Sequence, residues 1–206
     1  MKALFLTLAL AASSVLAADI TAGSYNVQGK NPNGSPYKGT LKISGKGVYK
    51  VNWSVGSNYS GIGLDMGNLF AVGWGKGKCG AALYKIEGGK LSGEWVDPSV
   101  PKRGSEQGSG GDFKGNYPIK GKSPDGGSYE GTISIEPRGA VYKLGWKGEE
   151  SYNGVGVRQG NMLAVGWGGE NCGVVVYEVK ADGGMSGSWA VYGENNLGSE
   201  ELSKGW

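Results

Sequence analysis

The stretch Tyr25-Asn-Val-Gln-Gly-Lys-Asn-Pro-Asn-Gly34 recurs as Tyr117-Pro-Ile-Lys-Gly-Lys-Ser-Pro-Asp-Gly126, and the similarity continues along the chain. Gly67-Asn-Leu-Phe-Ala-Val-Gly-Trp-Gly75 likewise returns as Gly160-Asn-Met-Leu-Ala-Val-Gly-Trp-Gly168. The offset between equivalent residues drifts only from 92 in the first of these segments to 94 near the end of each copy, so the copies differ by single-residue insertions. A period that covers this much of a chain indicates one structural unit present twice. The copies run from about 23 to 106 and from about 115 to 202.

Each copy shows the two-residue period of half-buried β-strands. In Tyr49-Lys-Val-Asn-Trp-Ser-Val55 the apolar side chains share one face and the polar side chains share the other. Leu69-Phe-Ala-Val-Gly-Trp74 is apolar on both faces, which predicts the most deeply buried strand. Short turn signals such as Asn33-Gly34 separate the strands, and short turns join neighbouring strands antiparallel.

The pattern predicts an all-β protein with two tandem antiparallel meander domains. Seven strands are expected in each copy, with an eighth at Gly104-Ser-Glu106 after a longer connection at Val96–Arg103. A meander of this size exposes two strand edges unless it closes. Two small up-and-down barrels or strongly rolled sheets are therefore expected, and a β-sandwich is the alternative. The predicted boundaries are 18–107 for the first domain, 108–114 for a flexible Gly/Ser linker and 115–206 for the second domain.

Residues 1–17 have the three parts of a secretory signal peptide. Lys2 supplies the positive start, Ala3–Leu16 is an apolar run, and Val15-Leu16-Ala17 suits a cleavage site before Ala18. The run is shorter than the roughly 20 residues that a transmembrane helix needs. No later segment of the sequence could cross a bilayer as a helix. The chain is therefore predicted to be exported, and to be periplasmic or secreted.

Composition excludes several classes of function. The formal net charge of +3 is spread along the chain without a basic block, so no nucleic-acid partner is expected. Histidine is absent, which removes the commonest metal ligand and the commonest general base. No metal site and no other cofactor is predicted. The sequence also lacks a nucleophile elbow and a phosphate-binding loop. The protein is expected not to be an enzyme, and a hydrolase is the weakest alternative.

Glu106 and Glu200 are matched between the copies, each near the end of its copy, whereas most acids are not matched. A glycosidase needs two carboxylates flanking the bond that it cleaves, and this match supplies one in each copy. We therefore expect each of these glutamates to accept backbone or hydroxyl hydrogen bonds and to close the last strand of its copy onto the first.

Six tryptophans recur in matched pairs, namely Trp53 and Trp146, Trp74 and Trp167, and Trp95 and Trp189. One interpretation is core packing, which suits Trp53 and Trp95 because they alternate in phase with other inward-facing residues. The other is a set of aromatic platforms at a barrel mouth, able to stack on sugar rings or flat ligands. Trp74 and Trp167 fit this second interpretation better, since a Gly-Trp-Gly setting leaves room around the ring. Together with Tyr59 and Tyr152, they are the predicted ligand-binding residues.

The chain has two cysteines, Cys79 and Cys172, at matching positions of the two copies. In an oxidising compartment an even count favours a disulfide, which here would tie the copies together. The alternative is two buried thiols that act as small apolar side chains. The sequence leaves both alternatives open.

The motif Gly-x-Tyr-x-Val-x-Gly-x-Asn-Pro-Asn-Gly at 23–34, followed by Ala-Val-Gly-Trp-Gly at 71–75, resembles an exported bacterial β-repeat family. Some sequences similar to it carry a fibronectin-binding label, and the order of hairpins is similar to avidin-like and lipocalin-like meanders. The resemblance implies no catalytic residues. We expect an exported, non-catalytic binding module whose aromatic-lined domains engage a glycan, a small ligand or an extracellular protein. The alternative is an envelope structural or interaction protein, such as a fibronectin-binding-like adhesin.

Overall fold

The computed structural model describes residues 20–205, so the predicted signal peptide at 1–17 lies outside the described residues. The described chain consists of sixteen β-strands joined by turns, and within 20–205 we find no helix able to cross a membrane. All strand pairings are antiparallel, and the strands form two closed eight-stranded barrels. The predicted fold class is therefore confirmed in its barrel form.

Barrel one contains five strands from the first copy and three from the second, in the cyclic order β1-β16-β15-β14-β5-β4-β3-β2. Its strands are β1 (Gly23–Lys30), β2 (Pro36–Lys46), β3 (Val48–Ser54), β4 (Asn58–Met66), β5 (Leu69–Gly75), β14 (Cys172–Val179), β15 (Met185–Val191) and β16 (Gly198–Lys204).

Barrel two contains the other three strands of the first copy and five of the second, in the cyclic order β10-β11-β12-β13-β6-β7-β8-β9. Its strands are β6 (Gly80–Glu87), β7 (Lys90–Asp97), β8 (Val100–Ser109), β9 (Gly115–Lys122), β10 (Ser128–Arg138), β11 (Val141–Lys147), β12 (Ser151–Gln159) and β13 (Met162–Trp167).

The two copies thus exchange their last three strands, and the sequence-based division into domains at 18–107 and 115–206 does not coincide with the barrels. β5 pairs with β14 instead of β6, and β13 pairs with β6 instead of β14. The two copies present nearly identical strand edges at these positions, so local pattern cannot tell which copy supplies the partner. The exchange is the internal equivalent of a domain-swapped dimer.

The strand predicted to be most deeply buried lies between two cores. Phe70 and Val72 of β5 point into the core of barrel one, whereas Leu69 and Ala71 join a separate apolar cluster between the barrels. That cluster contains outward-facing residues of β4, β5 and β14 on one side and of β6, β12 and β13 on the other. These strands need apolar residues on both faces because both faces are covered. The barrels therefore pack side by side over a buried apolar seam.

Arg103 of β8 adds a polar clamp at one edge of this seam. Its guanidinium donates to the backbone carbonyls of Gly47 and Asp65, which belong to barrel one. It also forms ion pairs with the Asp65 carboxylate at 2.5 Å and with Glu94 at 2.7 Å. The equivalent position in the second copy is Leu197, so the clamp is present on one side of the pseudo-twofold arrangement.

The segment interpreted as a flexible linker at 108–114 is packed against barrel two. Residues 108 and 109 belong to β8, and Phe113 is 3% exposed within the barrel core. The Arg158 guanidinium lies 3.7 Å from the centroid of the Phe113 ring. The Gly and Ser composition suggested a free linker, but one buried aromatic residue makes the segment a plug for the end of the barrel.

The eighth strand is present in both copies, but its predicted approach in the first copy is wrong. Only Pro98 and Ser99 separate β7 from β8, and the register shifts between Val96 and Asp97. A register shift of this kind lets a strand continue past prolines, which cannot donate a ladder hydrogen bond. The connection that was expected to be long, at Val96–Arg103, is therefore a tight turn between two strands.

Candidate functional site: two aromatic barrel mouths

Each barrel has one plugged end and one open end. At the plugged end of barrel one, the Tyr25 hydroxyl donates to the Thr21 carbonyl at 2.7 Å. Its equivalent in barrel two, Tyr117, donates in the same way to the Gly111 carbonyl. The open ends, which we call mouth one and mouth two after their barrels, lie at the opposite ends of the strands. Trp74 and Trp167 lie there, at the ends of β5 and β13.

The disulfide lies at the same level as the mouths. The chain crosses from barrel one to barrel two through 76–79 and returns through 168–171, next to both mouths. Cys79 and Cys172, at the ends of these crossings, are joined in a disulfide that spans 93 residues of sequence. Of the two alternatives left by the sequence, the structure contains the bridge. Both mouths therefore open at one end of the molecule, with the disulfide between them.

A buried carboxyl group forms the floor of mouth two. Glu106 of β8 is 5% exposed, and it accepts hydrogen bonds from the hydroxyls of Tyr84 at 2.6 Å and Tyr129 at 2.7 Å. Tyr129 also accepts a hydrogen bond from the indole nitrogen of Trp95 at 2.8 Å. The hydrogen-bonded network fixes the rotamers of three aromatic side chains around one acid.

Mouth one has the equivalent arrangement around Glu200 of β16. Its carboxyl accepts hydrogen bonds from Tyr37 at 2.8 Å, from the Trp53 indole at 3.3 Å and from Tyr177. The strand exchange decides the composition of both clusters. In barrel one, Tyr37 and Trp53 come from the first copy, whereas Tyr177 and Glu200 come from the second. The prediction of hydroxyl hydrogen bonds to both glutamates is confirmed.

Burial shifts the proton equilibria of these clusters. Desolvation raises the pKa of Glu106 above 4.5, and the hydrogen bonds from Tyr84, Tyr129 and Trp146 oppose the rise without cancelling it. The pKa of Glu200 is raised for the same reason, against hydrogen bonds from Tyr177, Tyr37 and Trp53. Burial and the neighbouring carboxyl raise the pKa of Tyr84 and Tyr177 well above 10, so these phenols stay protonated as donors.

The four predicted ligand-binding residues lie in the mouths as two matched pairs. The Tyr59 ring meets Trp74 edge-on at a centroid distance of 5.3 Å, and Tyr152 meets Trp167 in the same way at 5.3 Å. Tyr59 and Trp74 line mouth one, and Tyr152 and Trp167 line mouth two. Trp53 is 6% exposed and belongs to the core of barrel one, as expected, and one side of its ring also borders mouth one.

Glycines on neighbouring strands provide the space that these rings occupy. Trp167 pairs directly with Gly80, and Trp74 pairs with Gly173. A β-carbon built on either glycine would collide with the indole across from it. The glycine after each cysteine is therefore required by the tryptophan of the opposite copy, which is a cross-strand aromatic-glycine pair.

The two mouths differ in size and in charge. The cavity of mouth two measures about 490 Å³, and that of mouth one about 150 Å³. Mouth one has a single charged side chain among its lining residues, Glu200, whereas mouth two has a rim of further acids. Glu149 and Glu150 on this rim replace Gly56 and Ser57 of the first copy. The copies have kept the aromatic walls and diverged at the loops.

Sequence reasoning missed part of the site. Tyr37 and Tyr129 were not identified as lining residues, and Glu106 and Glu200 were predicted to accept hydrogen bonds and close strands but not to line a mouth. Their signal was present, because all four residues are matched between copies, and a polar residue repeated at a buried position indicates a shared network. Trp95 and Trp189, interpreted as core, pack against the core and also line the mouths.

Comparison of the chain with protein-family models, with curated proteins and with solved structures gives no match. The resemblance to an exported β-repeat family stays a prediction from the sequence. Within 20–205 there is also no cluster of three or more acids or cysteines with metal-binding geometry.

Proposed function

We propose that the protein is an exported, non-catalytic binding module whose barrel mouths hold a small ligand or the end of a glycan. The observation that carries the proposal is the cavity of about 490 Å³ in mouth two, with aromatic walls over a buried, hydrogen-bonded carboxyl floor. A cavity of a few hundred Å³ with mainly apolar walls and a few fixed polar groups is typical of ligand-binding sites.

Two further observations support a ligand at the mouths. Tyr59 at 42% and Val100 at 38% are the large apolar side chains most exposed among the described residues, and each lines a mouth. Trp167, which lines mouth two, has a buried indole N–H without a hydrogen-bond partner within 20–205. Trp189, which lines mouth one, has an indole N–H in the same state, so an unsatisfied buried donor is a feature of both mouths.

Export and the lack of catalysis belong to the same proposal. The disulfide between Cys79 and Cys172 suits an oxidising compartment, which supports a periplasmic or secreted location. In mouth one, Glu200 is the single acid among the lining residues, and it is engaged by three donors. Acid-base hydrolysis of a glycoside needs a second carboxyl group across the bond. Only one buried acid is matched between the two mouths, and the further acids of mouth two lie at its rim, exposed except for the half-buried Asp97. The part of the site that both copies share therefore favours holding a ligand over cleaving it.

The proposal is tested by comparing mouth and core tryptophans. Ligands would be sought with a glycan array and a soluble small-molecule set, using the mature chain and tryptophan fluorescence as the readout. Trp167→Ala should abolish binding of any mouth-two ligand, while its effect on unfolding stays below the roughly 3–5 kcal/mol expected for Trp53→Ala, which truncates a buried ring. Binding that survives both Trp167→Ala and Trp74→Ala would place the interaction elsewhere on the surface and favour the adhesin alternative.

A further inference from the structure

The charge around mouth two is opposite in sign to that of the chain. Six carboxyl groups line the cavity against one lysine, Lys147: Asp97, Glu106, Asp125, Glu130, Glu149 and Glu150. Only one of them has an ion-pair partner within the described residues, because Lys120 lies 2.9 Å from Glu130. The chain as a whole has a formal net charge of +3, so this concentration of acids is local.

The walls of the same cavity are aromatic faces at steep angles to one another. Trp95 and Trp167 meet at 86° with ring centroids 5.7 Å apart, and Tyr152 meets Trp167 at 67°. Tyr129 and Trp146 complete the lining at this level. The faces of such rings carry the negative part of the aromatic quadrupole, which attracts a cation, and tryptophan gives the strongest attraction.

From these two features we infer that mouth two selects an organic cation, an ammonium group on a small apolar body. The inference rests on the proposed function, and it names the class of ligand. The ammonium group would lie among the aromatic faces, with the Glu106 carboxyl below it and Glu149 and Glu150 at the rim above. An anion would meet six carboxyl groups, and a neutral sugar would gain hydrogen bonds from the rim but no charge attraction.

The first copy supplies an internal comparison. At the positions of Glu130, Glu149 and Glu150, it has Lys38, Gly56 and Ser57, so mouth one lacks the acidic rim although it keeps the aromatic residues. The rim charge is therefore not needed for the fold of a barrel. It distinguishes one mouth from the other, as a determinant of ligand class would.

The experiment compares two probes of the same shape on the mature full chain. Choline and its uncharged carbon isostere, 3,3-dimethylbutan-1-ol, would be titrated by calorimetry and by tryptophan fluorescence at low salt. We expect choline to bind at least about tenfold more tightly, since cation–π attraction in a desolvated site is worth an order of magnitude in affinity. Equal affinity for the two probes, or no choline binding, would overturn the inference.

Charge variants test the source of the selectivity. Glu149 and Glu150 are exposed, so Glu149→Gln/Glu150→Gln leaves the core intact, and it should weaken choline binding several-fold and reduce its salt dependence. The matched control is Glu87→Gln/Glu136→Gln, which makes the same change in net charge at exposed positions near the plugged end. If both double variants weaken choline binding equally, the rim glutamates are not the source of the selectivity, and that part of the inference is overturned. If both probes bind equally and Trp167→Ala weakens both, the cation class is wrong and the proposed binding function stands.

Discussion

Trp95 lies directly across from Gly104 on the neighbouring strand, and its indole occupies the space that a side chain at position 104 would fill. The same relationship joins Trp189 to Gly198 in barrel one. In both pairs the atoms nearest to an added β-carbon all belong to the indole. Part of the glycine content thus has a specific structural cause, since each of these glycines leaves room for one ring of the mouth.

Gly104→Ala should therefore disturb mouth two through one side chain. The added methyl group displaces Trp95 and breaks its 2.8 Å hydrogen bond to Tyr129, and overpacking of this kind typically costs about 1–3 kcal/mol. Thermal unfolding and the tryptophan emission spectrum measure the effect. Gly169→Ala is the control, because a side chain there meets open space. Equal stability of the two variants would contradict the pairing.

The buried glutamates predict a specific pH dependence of stability. Because the pKa of Glu106 and Glu200 is raised in the folded state, these two groups hold more protons in the folded protein than in the unfolded chain between pH 4.5 and their folded pKa. Their contribution to stability is full below 4.5 and is lost as the pH rises through the folded pKa. The difference in melting temperature between the wild type and Glu106→Gln/Glu200→Gln should therefore decrease from pH 4.5 to pH 7.5.

Subtracting the melting temperature of the variant from that of the wild type removes the contribution of every titratable group that the two proteins share. The groups that face the two carboxyls keep their protonation state over this pH range. They are Tyr84, Tyr129 and Trp146 in barrel two, and Tyr177, Tyr37 and Trp53 in barrel one. If the difference in melting temperature instead grows with pH, the hydrogen bonds from the phenol and indole donors lower the glutamate pKa by more than burial raises it.

Removal of the disulfide should weaken the whole molecule. The bridge closes 93 residues of sequence, and the chain-entropy model gives about 4–5 kcal/mol for a loop of this length. Cys79→Ser/Cys172→Ser should shift urea unfolding by an amount up to this value. An unchanged unfolding midpoint, with complete oxidation of the wild type verified by a thiol assay, would show that the strand exchange alone holds the crossings.

An isolated first copy should dimerise. In a chain of residues 20–114, β5 would find as its partner the β6 of a second molecule, because β6 is the equivalent of β14. Only a dimer also buries the apolar seam between the barrels. Light scattering after size exclusion measures the mass, with the full chain, which already contains both copies, as the reference. A stable monomer would mean that β5 closes onto its own β6.

Sequence alone determined the local structure of this protein. The alternation in segments such as Tyr49–Val55, the turn signals and the 92-residue repeat specify antiparallel strands, because side-chain period and turn geometry depend on neighbouring residues. Closure into barrels followed from the need to pair strand edges. Trp74 and Trp167 were identifiable because a Gly-Trp-Gly setting is a local feature, and the structure places both rings in the mouths.

Tertiary structure decided which copy supplies each strand. β6 and β14 offer nearly the same edge to β5, so the choice depends on the crossings at 76–79 and 168–171 and on the apolar seam, which are properties of the whole chain. The role of Phe113 was also not predictable from local sequence. Its neighbours in sequence indicate a linker, whereas in the folded protein its side chain fills the end of barrel two. The acids of mouth two lie on several strands and loops that are separate in sequence. Their common location arises only when the exchanged strands close around Glu106.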